Sequence, residues 1–262
     1  MRFALGLEYD GSAFHGWQRQ ENIRTVQGCL EQALSRVANQ PTEVVVAGRT
    51  DAGVHASSEG LDGQVAHFDT PADRSLRAWV LGGNLYLPAD VAICWAKAVP
   101  DDFHARFSAT SRHYRYWIQN SQTRPALNRA RVTWDHRPLE LEAMAMAARS
   151  LVGTHDFSSY RARGCQAKSP IRTLHRLDVM RGSQPGSIVL EVVANAFLQH
   201  MVRNLAGVLM TIGAGERPPE WAREVLEQRN RACGGVTAPP NGLYLVGVEY
   251  PPEFGIPPAT AW

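Results

Sequence analysis

Residues Gly48-Arg-Thr-Asp-Ala-Gly-Val-His-Ala56 follow the β-branched run Val44-Val-Val46 and read as a glycine-flanked turn at the end of a strand. Gly48 and Gly53 permit backbone angles closed to β-branched residues, so the chain can turn sharply there and present Asp51 rather than bury it. A carboxylate displayed beside Arg49 suits nucleophilic attack, because a guanidinium within about 4–6 Å favours the ionised form that a nucleophile needs. Asp also populates turns for a purely local reason, its side chain bonding the nearby backbone. The turn by itself leaves both readings open.

Working outward, Phe3, Leu5, Leu7 and Tyr9 alternate with Ala4, Gly6 and Glu8, which predicts a half-buried strand closed by Asp10-Gly11. Val26, Cys29, Leu30, Ala33, Leu34 and Val37 recur at helical spacing, with Thr25 as N-cap and Pro41 beyond the end. Residues 71–84 read as helical, and Val91, Ile93 and Trp95 as a strand ending before Pro100. A second unit is expected from Ala105. It has a strand over 113–119, a helix over 141–152 ended by Gly153, and paired strands over 174–180 and 188–193. Helices from Phe197 and Glu220, a strand over 243–249 and an extended Pro-rich tail over 251–258 complete it. Strands and helices mix without strict βαβ repetition. The expected class is therefore α+β: two α/β lobes, 1–104 and 105–262, with largely antiparallel mixed sheets flanked by helices, and a central cleft for the ligand.

The chain has 262 residues, 44% hydrophobic and 20% charged, as befits a globular protein with a substantial core. Its net charge of +2 hides an asymmetry: residues 1–104 carry 8 basic and 13 acidic side chains, residues 105–262 carry 19 and 12. Arg106, Arg112, Arg115, Arg124, Arg129 and Arg131 occur between Ala105 and Trp134 with no acidic residue, and Arg161, Arg163, Lys168, Arg172, Arg176 and Arg181 face only Asp178. Arginine's planar fork suits bidentate phosphate contacts, so these stretches point to a polyanion, although a solvated charged face has the same composition. Cys29, Cys94, Cys165 and Cys233 stand far apart, which indicates neither a zinc site nor a disulfide framework. Glu8 and Asp10 end the first apolar run, and His200, Arg203 and Asn204 interrupt the stretch 197–212, so neither a secretory signal nor a membrane span is expected. A cytoplasmic protein is the expectation.

Tyr114 lies between Arg112 and Arg115 in a strand, a pattern in which bases stack on rings while arginines pair with phosphates. A core aromatic with a satisfied hydroxyl is the alternative for Tyr114 and the reading for Tyr116. Arg203 sits on an otherwise apolar helix beside Phe197, Leu198, Met201, Val202 and Leu205, and so needs either solvent or an acid; Asp51 is the candidate partner. His55, His104 and His200 fall in suggestive company but are assigned no proton-transfer role. The sequence has no phosphate-binding G-x-x-x-x-G-K-[ST] loop, no strand-linked G-x-G-x-x-G and no metal-ligand cluster, so a cofactor-free reaction is expected.

Nine stretches, in order, resemble the TruA family of tRNA pseudouridine synthases. They are Gly16-Trp-Gln18 with Gln20, Thr25-Val-Gln27, Gly48 to His55, Gln64-Val-Ala-His-Phe68, Asp102 to Ser108, Arg112-His-Tyr-Arg-Tyr116, His155-Asp-Phe-Ser-Ser159, Phe197 to Asn204 and Gly242-Leu-Tyr-Leu245. The resemblance implies the pseudouridine synthase fold and isomerisation of uridine to pseudouridine at positions 38, 39 and 40 of the anticodon stem-loop, without a cofactor or metal. It implies Asp51 as nucleophile and Tyr114 stacked on the target base. Arg49 and Arg203 would hold the loop or pair with the aspartate, and Leu243 or Leu245 would line the pocket. It further implies a homodimer that binds tRNA through Phe103, His104, Ala105, Arg106 and Phe107 and through Gln166, Ala167, Lys168, Ser169 and Pro170. Attack at C1′, attack at C6 and deprotonation at C2′ all remain open routes for Asp51.

Two rival readings are a catalytically inactive tRNA-binding module and a hydrolase pairing Asp51 with Glu59 or Asp62. The connection from Ala56 to Gly63 is longer than is usual for the family and reads as an exposed loop that either alters RNA docking or projects into solvent. Surface insertions are well tolerated, so deleting Ser57–Leu61 is expected to leave tRNA affinity unchanged in a filter-binding titration.

Overall fold

The structure, a computed structural model, describes residues 1–56 and 63–257. Its strands are β1 (Arg2–Tyr9), β2 (Val44–Val46), β3 (His55–Ala56), β4 (Gln64–Asp69), β5 (Val91–Val99), β6 (Ser111–Asn120), β7 (Thr133–Asp135), β8 (Gly153–Asp156), β9 (Ile171–Arg181), β10 (Ser187–Ala194) and β11 (Leu243–Glu249). The helices are α1 (Val26–Ala38), α2 (Gly83–Tyr86), α3 (Leu141–Arg149), α4 (Met201–Gly213) and α5 (Trp221–Glu227). The class is α+β with mostly antiparallel pairing.

The chain divides into two compact units, residues 1–111 together with the segment from Tyr244, and Arg112–Leu243. This differs from the expected boundary at Ala105 and from an uninterrupted second lobe. The reason is a backbone pairing: β11 returns to lie parallel to β3, with Tyr244 opposite His55 and Leu245 opposite Ala56. No hydrophobic period announces such a return.

In the first unit β1 is central, antiparallel to β4, β5 and the end of β3, and β2 lies antiparallel on β4. The expected half-buried β1 is in fact buried on both faces, from Phe3 to Leu7. Trp95 of β5 packs directly on Gly6, where a Cβ would lie 2.0 Å from the Trp95 Nε1. Phe3, Phe68 and Trp79 form the aromatic centre, with ring centroids 5.0–5.6 Å apart, a spacing at which such rings attract beyond simple burial. Residues 71–75 are not helical as expected; Ser75 starts the helix by accepting the amides of Ala78 and Trp79, and Ala78–Gly82 form a π-turn leading into α2. The segment from Pro251 is no free tail within the described residues. Pro252–Phe254 make a short 3-10 turn, Phe254 packs on Phe103 at 5.2 Å, and the Gly255 carbonyl accepts from Lys97. Pro258 lies outside the described residues.

The second unit pairs β6, β10, β9 and β8 antiparallel in that order, with β7 parallel to the end of β6. The apolar helix α4 forms its core, with Leu205, Ala206 and Leu209 fully buried. α4 starts at Met201, four residues later than expected, because His200 adopts a left-handed conformation (φ +61°) that a continuous helix does not allow. Residues 197–200 are thereby freed for tertiary contacts.

Thr25 caps α1 as its sequence predicts, its Oγ1 accepting the Gly28 amide at 3.3 Å. Replacing a capping hydroxyl costs about 1 kcal/mol, so Thr25→Ala is expected to lower the urea midpoint accordingly, with Thr25→Ser close to the original.

Candidate active site

The turn between β2 and β3 is tied down at almost every residue. The Ala47 amide bonds the Val65 carbonyl at 2.8 Å, the Trp17 amide bonds the Thr50 carbonyl at 3.0 Å, and the Val54 amide closes the turn on the Asp51 carbonyl at 3.1 Å. Gly53 has φ +78°, and Gly16 has φ +88° with its Cα so close that a Cβ would lie 2.7 Å from the Thr50 carbonyl. Both positions therefore require glycine. Side chains complete the frame: Tyr9 Oη lies 2.8 Å from Thr50 Oγ1, and Gln64 Nε2 donates to the Gly48 carbonyl at 2.7 Å and to Tyr9 Oη at 3.3 Å. Asp51 is half-buried at the start of the tight turn whose central residues are Ala52 and Gly53. Arg49 is exposed, and among the described residues no ion pair joins it to Asp51.

His55 follows the turn. Its Nδ1 lies 3.1 Å from the Gly11 amide nitrogen and 3.3 Å from the Asp10 carboxylate. The His55 ring stacks on Tyr244 at 4.5 Å and 18°.

Of the segment expected to touch RNA, Phe103 and Ala105 are fully buried. They hold the segment down: the Ala105 amide bonds His67 Nδ1 at 3.1 Å, and Tyr250 Oη bonds the Ala105 carbonyl at 2.6 Å. His104, half-buried, accepts the amides of Arg106 and Phe107 on Nδ1, both at 3.2 Å, and its ring lies 4.3 Å from that of Phe107. Phe107 is 75% exposed, and the exposed Arg106 guanidinium lies 5.4 Å from its ring centre. An open ring beside a cation can stack a base and pair a phosphate.

In the second unit Tyr114 lies on β6 opposite Val192, 8% exposed and edge-on to Phe197 at 5.0 Å. It sits at the margin of the core rather than in the open. Tyr116 is a core residue as expected, bonding Thr133 Oγ1 at 2.6 Å and the Pro239 carbonyl at 2.8 Å. Arg203 is half-buried, and its Nε donates to the Ala238 carbonyl at 2.8 Å while its own carbonyl accepts the Ala238 amide. Leu243 and Leu245 are buried. Gln166, Lys168 and Ser169 are exposed, with Ala167 and Pro170 half-buried.

Several arginines of the basic stretches are engaged within the protein. Arg115 and Arg176 converge on Glu191 at 2.8 and 3.1 Å, Arg112 donates to the Asn195 carbonyl, and Arg172 to those of Ser169 and Ile171. Charge counting therefore overstates the cations available to RNA. Glu59 and Asp62, the carboxylates of the hydrolase reading, lie outside the described residues. Among the described residues no group of three His, Cys, Asp or Glu side chains could hold a metal, the four cysteines are free thiols, and no helix is long and apolar enough to cross a membrane.

A family model described as tRNA pseudouridine synthase matches residues 7–108 and 147–251, most of both units. The chain belongs to that family. It is 59% identical to the tRNA pseudouridine synthase A of Nitrosococcus oceani over 266 aligned positions covering 100% of both chains. It is equally close to those of Alcanivorax borkumensis, covering 98% of this chain and 94% of that one, and Pseudomonas aeruginosa, covering 98% and 88%. This supports an isomerase acting on tRNA uridines, and nothing in it favours an inactive tRNA-binding module. Sequence reasoning passed over Tyr9, Thr50 and Gln64. Their signal was available in the placement of Gln64 inside a matching stretch otherwise made of strand core.

Burial, and then the Arg2 guanidinium, push His67 down to about 4. A histidine depressed from its usual 6.5 contributes stability above pH 6.5 that is lost as pH falls toward 4, at most about 3 kcal/mol. His67→Gln, which keeps an acceptor for Ala105, is expected to flatten the fall in melting temperature between pH 6.5 and 4.

Proposed function

We propose that this enzyme converts uridine to pseudouridine at positions 38, 39 and 40 of the tRNA anticodon stem-loop, with Asp51 as the nucleophile. The observation that carries this reading is the Asp51 turn, bonded on both sides of the half-buried aspartate, in a chain whose relatives are named tRNA pseudouridine synthase A. In the reaction the C1′–N1 bond breaks, the uracil turns, and C1′ bonds to C5. C5 loses its proton and N1 takes one up, so the atoms balance without a co-reactant.

A stacked uridine must leave its helix before a carboxylate can reach it, at a cost of a few kcal/mol. Tyr114 stacking on the extruded base offsets about 1–3 kcal/mol of that. Arg49, exposed on the turn, is assigned to the RNA loop. Arg203 is assigned to Asp51, and Leu243 and Leu245 to the apolar lining of the base pocket. His104, Arg106 and Phe107, with Gln166 to Pro170, are assigned to the RNA surface. The protein acts in the cytoplasm as a homodimer on this reading, in keeping with its family resemblance.

Incubating anticodon stem-loop RNA with the protein and mapping pseudouridine by site is expected to give product at positions 38, 39 and 40. Asp51→Asn is expected to lower the rate by at least about a thousandfold while still binding RNA. Release of free uracil, or full activity in the Asn variant, would sink the reading.

A further inference from the structure

We infer that Tyr9 and Gln64 are positioning residues for the isomerisation, holding Asp51 in place through Thr50 and Gly48. The inference rests on Asp51 as the nucleophile. Tyr9 ends β1 and Gln64 begins β4, on adjacent strands, and both side chains bond to the turn. Tyr9 is 4% exposed, Thr50 7% and Gln64 0%. The Tyr9 hydroxyl stands between Thr50 Oγ1 at 2.8 Å and Gln64 Nε2 at 3.3 Å, and the same amide grips the Gly48 carbonyl at 2.7 Å. The residue before Asp51 is thus fixed by its side chain through Tyr9 and by its carbonyl through the Trp17 amide.

Core filling alone does not account for this trio. Phenylalanine at position 9 and an apolar residue at position 64 would pack a strand core without burying polar atoms. The structure also retains an unsatisfied acceptor, for Gln64 Oε1 is buried without a hydrogen-bond partner among the described residues. The chemistry of each group fits the grip. Burial pushes the Tyr9 hydroxyl up to about 12, so it keeps its proton throughout the neutral range. An amide at position 64 can donate to the Gly48 carbonyl, whereas a carboxylate there would meet it acceptor to acceptor. A displacement of 1 Å at a reacting group can cost about a hundredfold in rate, which is the scale of effect such a grip controls.

The test is single-turnover pseudouridine formation on transcribed tRNA at saturating full-length enzyme, with tRNA affinity measured separately. Tyr9→Phe and Thr50→Val are expected to slow turnover about 10- to 100-fold, with affinity unchanged within about twofold and the melting temperature little altered. Thr50→Ser, which keeps the hydroxyl, is expected to restore most of the rate, and the Tyr9→Phe/Thr50→Val double variant to be no slower than the worse single one. Gln64→Glu should behave like Tyr9→Phe; if it fails to fold, Tyr9→Phe, which removes one atom, carries the test. Wild-type rates in Tyr9→Phe and Thr50→Val, a loss shared equally by Thr50→Ser, or a loss confined to affinity would overturn the proposal. Asp51→Asn run in parallel separates the two readings. An inactive Asn variant beside a fully active Tyr9→Phe removes only the positioning role, while an active Asn variant removes the nucleophile itself.

Discussion

The hydrogen bond from the Trp17 amide to the Thr50 carbonyl is the constraint around which the first unit is arranged. A turn of eight or nine residues between two short strands would ordinarily be the most mobile part of a domain. Here its main chain is stitched to the segment after β1 and to β4, and the stitching requires other features in turn. Gly16 must be glycine for the Trp17 strand of chain to approach so closely. Tyr9 and Gln64 must be polar in a core that would be more stable without them, since a buried acceptor left unpaired costs about 1–3 kcal/mol. Local order at Asp51 is thus maintained at some expense in global stability.

The second unit handles its charge differently. Glu191 on β10 neutralises two arginines at once, and main-chain carbonyls absorb others, so the strand surface near Tyr114 is less positive than its arginine count suggests. An arginine already held by a carboxylate or carbonyl is fixed in direction, and its charge is spent largely within the protein. Arg112, 9% exposed and bonded to the Asn195 carbonyl, sits next but one to Tyr114 and steadies that end of β6.

Much of this was legible in the residues. The period-two run at Phe3–Tyr9, the helical spacing behind Thr25, the hairpin about residues 182–187 and the Asp51 turn all follow from local patterns, because the same atoms that form each element specify it. Other features were not, for reasons of range. β3, two residues long, exists only because β1 and β11 flank it. On β1, Gly6 is packed by Trp95, 89 positions later. The late start of α4 turns on one left-handed residue, His200, whose type gives no warning. Around the turn, the flanking glycines marked Asp51 as presented, whereas the full burial of Phe103 and Ala105 beneath Arg106 and Phe107 had no local signal. Tyr9 and Gln64 read as strand residues because their polar atoms matter only to a turn about 40 and 15 residues away in sequence.

The return of the chain to β11 carries a consequence for biosynthesis. β3, which directly follows the Asp51 turn, receives its parallel neighbour only after the entire excursion through residues 112–243 has been made. During translation the amino-terminal portion emerges with one strand edge uncovered, and contacts of such long sequence separation form slowly. A nascent chain that has exposed Asp51 therefore still lacks the strand that flanks β3 until residues 243–249 have been made.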